Sequence, residues 1–156
     1  MRYWVYLLIA SMLIGSGCAN AVPKGHYHAE LKLAAAVLLK NAPKLTNDSI
    51  SLAQANRLFQ RQKFQQSLQA NLPWAKAGSV QARLEIGFLY EFGRGVETNG
   101  QLAALWYYSA IRPSPYNHRP IERGVRYYFG LDGHKKNYFT AAKWFRMAAE
   151  LGDDRY

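Results

Sequence analysis

Cysteine and acidic side chains are scarce in this sequence of 156 residues. A lone cysteine, Cys18, excludes any disulfide framework within the chain. Ten Asp and Glu stand against twenty Lys and Arg, a formal charge of +10, and almost all of that excess lies after residue 17. Such a surface favours anionic partners, among them acidic protein segments, lipid headgroups, cell-wall polymer and nucleic acid. The basic residues are scattered rather than run together, so solubility alone is the other reading of the charge. Catalytic groupings are missing too. Glu85 and Glu91 lie six apart on a helix and do not face each other, with Glu97 beyond them. Gly93-Arg94-Gly95 falls between two helices and not after a strand, which disqualifies it as a phosphate loop. His26 and His28 would share one side of an extended segment, but only Glu30 stands near them as a third ligand. The chain reads as no enzyme, with no cofactor and no metal.

What the sequence does contain is helical periodicity. Val80, Leu84, Gly87 and Phe88 make one apolar stripe, and Leu102, Leu105, Trp106, Ser109 and Ala110 make a second at i, i+3, i+4, i+7 and i+8. Gly93 and Gly95 between them can take positive φ and stop the first helix, while Asn99 is a good N-cap for the next. The unit is an antiparallel helical hairpin. Small residues at Ala82, Gly87, Ala103 and Ala110 allow close approach of its helices.

The unit returns once. Gly87, Tyr90 and Gly93 reappear 37 residues later as Gly124, Tyr127 and Gly130; Ala103, Trp106, Tyr107 and Ala110 reappear 38 later as Ala141, Trp144, Phe145 and Ala148. One residue is therefore inserted in the second turn, and Asn99 returns as Asn137. A repeat of this length marks a stacked array. The pattern resembles the Sel-one-like repeat family, relatives of the tetratricopeptide repeats, at Ala82, Ile86, Gly87, Tyr90, Gly93, Gly95, Val96, Ala103, Trp106, Tyr107 and Ala110. The resemblance covers about half of the chain. It implies an all-α fold, a short right-handed α-solenoid of antiparallel helical hairpins, used as a binding scaffold.

Residues 1–17 read as an export signal: Arg2, an apolar run over Tyr3–Ile14, and small residues up to Cys18. Gly15-Ser16-Gly17-Cys18 resembles the lipobox of bacterial lipoproteins, with Gly15 where Leu, Val or Ile is usual. That resemblance makes Cys18 the lipid-attachment residue. Ala19-Asn20-Ala21 offers a competing exit that would discard Cys18, and an uncleaved anchor helix is a third reading. Ala19 is not an Asp-type retention signal, so the resemblance points to the outer membrane, facing the periplasm. The alternative is a soluble periplasmic or secreted protein.

Residues 18–29 read as a tether. The alanine- and leucine-rich run from Glu30 to Asn41 predicts a lead helix, apolar nearly all round and so buried on more than one side, ended by Pro43. Thr46 to Ser49 offer N-caps for a degenerate tetratricopeptide-like hairpin at roughly 50–77, with Pro73 near the end of its second helix. Its polar residues are mostly Gln, at 54, 60, 62, 65, 66 and 69, and long amides can hydrogen-bond an extended peptide. Residues 78–156 hold the two repeats.

The linker 111–120 carries three prolines where the family has a short turn. Arg119 and Arg123 align with Ala82 and Ile86, which should face the core, so either the helix is rotated or the arginines reach solvent or a carboxylate. Basic and aromatic residues concentrate here. Tyr108, Tyr116, Arg119, Arg123, Arg126 and Tyr128 are the expected partner contacts, because the repeat pattern does not require them. Tyr90, Trp106, Tyr107, Tyr127 and Trp144 form a second, concave candidate surface, though most define the repeat and belong in a core. The chain stops where another repeat would begin, which suggests either that a partner caps it or that longer relatives exist. The expected function is a non-enzymatic scaffold of the bacterial envelope that docks a protein partner, acidic by charge, and holds the membrane through a lipid. The alternatives are a periplasmic protein that binds anionic cell-wall glycan and a secreted effector. Nucleic acid suits the charge but conflicts with an export signal.

Overall fold

The computed structural model describes residues 24–152, so the export signal, Cys18 and the start of the tether lie outside the described residues. Those described form seven helices and no strand: α1 (Lys24–Asn41), α2 (Leu52–Gln60), α3 (Phe64–Lys76), α4 (Val80–Phe92), α5 (Gly100–Ala110), α6 (His118–Phe129) and α7 (Tyr138–Leu151). Three antiparallel hairpins, α2/α3, α4/α5 and α6/α7, follow the lead helix.

Local chemistry sets these boundaries. Ser51 opens α2 with a reciprocal capping box, its hydroxyl accepting from the Gln54 amide while the Gln54 side chain accepts from Ser51. Asn99 and Asn137 open α5 and α7 in the same way, each side chain accepting from the amide three residues on at 2.9 Å. Gly93 and Gly130 close α4 and α6 in the left-handed conformation, at φ 63° and 72°. The longer second turn also places Asp132 and Gly133 at positive φ.

Gly87 lets the ring of Tyr107 lie directly on α4; a Cβ there would stand 2.7 Å from Tyr107 Cε1. Gly124 does the same for Phe145 on α6. An aromatic side chain of α5 or α7 thus fills the space left by a glycine on its partner helix. The core positions expected of the first repeat, Ala82, Ile86, Ala103, Trp106 and Tyr107, are all buried.

The two junctions between hairpins are built differently. The first is made by α3 against α4; the second by α5 against α7, while α6 lies against α7 and α1 rather than against α4. Pro113 and Pro115 lie in the linker that carries α6 to that position, and Asn117 fixes it, donating to the Arg112 carbonyl at 2.6 Å and to that of Ala148 at 3.3 Å. This arrangement resolves the misplaced arginines. Arg119 and Arg123 are exposed because, among the described residues, no helix covers the side of α6 that corresponds to the α3-covered side of α4.

The lead helix departs from expectation twice. It begins at Lys24, so residues 24–29 are helical and not a tether. It is also buried on one side only. Leu31 is 1% exposed and Ala35 is buried, yet Leu33 is 66% exposed. The buried side rests on α5, with the Tyr27 and Phe129 rings 4.8 Å apart at its start.

Candidate docking surface

Two concave regions and one basic face are candidates for contact with other molecules. The first region, a groove of about 500 Å³, lies between α1, the end of α5 and the start of α6. Ala35, Leu39, Ile111 and Ile121 supply its apolar walls, and Lys32, His28, Tyr108, His118 and Glu122 its polar ones. The His28 ring lies 3.3 Å from the Tyr108 hydroxyl. Burial, reinforced by Lys32, pulls the His28 pKa down, and burial pushes that of Tyr108 up. His26 and His28 do not converge, since two residues along a helix are about 200° apart. Among the described residues no group of three or more His, Cys, Asp or Glu is placed to hold a metal ion.

The second region, of about 530 Å³, runs along the first hairpin. Gln65, Gln66 and Gln69 line it beside Ile50, Leu58 and Pro73, with no charged side chain.

The basic face belongs to α6. Arg119, Arg123 and Arg126 stand at i, i+4 and i+7 and share one stripe. Arg123 lies over the Trp144 ring, 4.7 Å from its centroid, and Arg126 pairs with Asp132 at 3.0 Å. Glu122 flanks the stripe, with His118 at 3.7 Å. Tyr116, just before α6, is 77% exposed. Of the six expected contact residues, the three arginines share this stripe, with Arg126 half-exposed, and Tyr116 is exposed in the linker before it.

The other two do not join it. Tyr108 is half-buried and turned into the groove against α1. Tyr128 is 7% exposed, a core residue whose hydroxyl accepts from the Gln101 amide at 3.3 Å. It occupies the place that Glu91 has in the first repeat, and that place faces inward. Trp144, read as a repeat-defining core residue, is instead half-exposed beneath Arg123. Its pairing with an exposed arginine at a core position was the signal that would have identified it. Of the concave aromatic set, Trp106 and Tyr107 are buried, while Tyr90 and Tyr127 are half-buried against the core.

A buried polar link holds this face in register with the first repeat. The Tyr107 hydroxyl donates to Glu91 Oε2 at 2.7 Å, and Arg146 of α7 donates to the same oxygen at 3.0 Å. Burial and the neighbouring carboxylate push the Tyr107 pKa well above its ordinary value, so the hydroxyl keeps its proton.

The profile of the Sel1 repeat family matches residues 80–112 and again residues 122–153. These two matches fall on the last two hairpins, which are similar to Sel1 repeats. No curated protein and no solved structure matches the chain. Sel1 repeats serve in general as scaffolds for protein–protein interaction. Between the two matched hairpins the stripe of α4 is apolar and buried, and the corresponding stripe of α6 carries arginine, exposed at Arg119 and Arg123.

Proposed function

We propose that the chain is a small scaffold of the bacterial cell envelope, which docks a protein partner on the open face of its second Sel1 repeat and is held at the outer membrane by a lipid on Cys18. One observation supports the docking half. Ala82, Ile86 and Leu89 are buried in the first repeat, whereas the equivalent Arg119, Arg123 and Arg126 stand on an uncovered stripe in the second. Like charges three and four residues apart on a helix repel one another. A row of this kind is best answered by an anionic surface brought from outside, so the partner is acidic. The tether half is supported by the order of Arg2, the apolar run and Gly15-Ser16-Gly17-Cys18. Two or three acyl chains hold a protein stably where one holds it marginally.

The test is intact mass and membrane fractionation of the full-length protein expressed in a bacterial host, alongside Cys18→Ala. Acyl mass on a chain that starts at Cys18, with loss of membrane association in the variant, is the expected result. A mature chain that starts at Val22 and stays soluble in both would sink the tether and move the protein to the soluble periplasmic or secreted class.

A further inference from the structure

We infer that the α6 face receives one acidic, amphipathic helix of the partner, laid on α6 as α3 is laid on α4. This rests on the protein-docking reading above and adds the form the partner must take. The two repeats supply the comparison. In the first, Ala82, Ile86 and Leu89 join Leu68 and Ala75 of α3 and Trp106 of α5 in one buried cluster. A face with that spacing and a tryptophan at its edge therefore has the shape to seat a helix. The second repeat keeps the spacing and the tryptophan, as Arg119, Arg123, Arg126 and Trp144, but no helix among the described residues covers them as α3 covers α4.

The chemistry of the missing helix follows from what changed. Three alkyl contacts became three guanidiniums, each able to take a carboxylate in a bidentate pair. Arg119 has no ion-pair partner among the described residues, Arg123 is held only over Trp144, and Arg126 shares Asp132. Carboxylates at i, i+4 and i+7 of an incoming helix would match this row over about 10 Å. The Trp144 ring offers apolar surface beside the row, so the helix needs alkyl side chains along the adjoining stripe.

A designed peptide can stand in for the partner helix. It is a fluorescent, alanine-rich peptide of about 18 residues, long enough to be helical alone, with Glu at i, i+4 and i+7 and Leu on the adjoining stripe. A second peptide has the same composition with its glutamates spread round the helix; polyglutamate, an oligonucleotide and anionic vesicles complete the set. Against the full chain, the ordered peptide should bind about tenfold tighter than the spread one, and Arg123→Glu should cost about tenfold. A peptide with Lys in place of Glu should regain binding to the Arg119→Glu, Arg123→Glu protein. Equal affinity for the ordered and spread peptides, tighter binding of the oligonucleotide or vesicles, or no effect of Arg123→Glu would each overturn the inference. The substituted positions are exposed, so melting curves of the variants should superimpose on the wild type. Membrane fractionation reads the tether independently, and a full-length chain that fails with these peptides while remaining acylated loses only the helix slot.

Discussion

Tyr107 and Phe145 hold the same place in the two repeats and differ by one hydroxyl. Where the hydroxyl is present, α4 supplies Glu91 to receive it; where it is absent, the position of Glu91 carries Tyr128, whose ring lies 6.4 Å from that of Phe145. The two positions changed together, a polar pair for an aromatic pair, because a buried hydroxyl or carboxylate left alone is costly. Only the polar version reaches beyond its own hairpin, through Arg146. Glu91→Ala should therefore destabilise the protein by about 1–3 kcal/mol, since it strands the Tyr107 hydroxyl and frees Arg146. Tyr107→Phe, which leaves Glu91 paired with Arg146, should cost less, about 1 kcal/mol. Chemical denaturation of both variants checks the order; equal losses would mean that Arg146 contributes nothing. This pair also explains why Tyr128 escaped a reading by pattern alone. The repeat motif says nothing about position 128, and its burial follows only from what Phe145 lacks.

Among the elements, α1 carries the largest gap between expectation and structure. Its composition is apolar all round, and period alone could not choose which side would be covered; α5 chose it. The same comparison explains its early start. Gly25, His26 and His28 read as spacer by propensity, but Tyr27 against Phe129 and His28 against Tyr108 hold them in helix, so tertiary contact overrode local preference. Leu31→Ala should cost about 2–5 kcal/mol, as a fully buried leucine does, and Leu33→Ala on the same helix should stay within about 0.5 kcal/mol. Similar losses for both would show that α1 is covered on both sides. The seat of α1 should also depend on pH. Burial lowers the folded pKa of His28, with Lys32 and His118 acting in the same direction and Glu122 against it. The unfolded chain then takes up the proton first, and the contribution of His28 to stability is complete above the ordinary histidine pKa of about 6.5 and falls as pH drops below it. A melt at pH 5.5 should lie lower than one at pH 7.5, and His28→Gln should shrink the difference; an unchanged difference would remove His28 as the cause. By contrast, α4, α5 and α7 were legible to within a residue or two, because their caps and stripes are written locally. The placement of α6 was not legible, although the prolines and the arginines at core positions both announced that something differed there.

At the scale of the whole molecule the first hairpin is the least secured part. It meets the rest mainly through α3 on α4, whereas α5 and α7 are joined along their lengths and tied further by Glu91 and Arg146. Arrays of this kind gain stability from neighbour interfaces and open where those are weakest. Amide hydrogen exchange should accordingly be fastest, among the helices, in α2 and α3, and slowest in α5 and α7. Uniform protection across all the hairpins would show that the chain opens as one unit. Finally, the change of junction at residues 111–117 has a mechanical consequence. A regular solenoid repeats one rotation and yields to load evenly along its length, like a spring. Here consecutive steps are taken by different helix pairs, so no single screw relates the three hairpins, and the molecule is a bracket with one stiff corner. A load that enters through α1 would pass straight to α5 and α6, where Tyr27 meets Phe129, and leave the first hairpin out of its path.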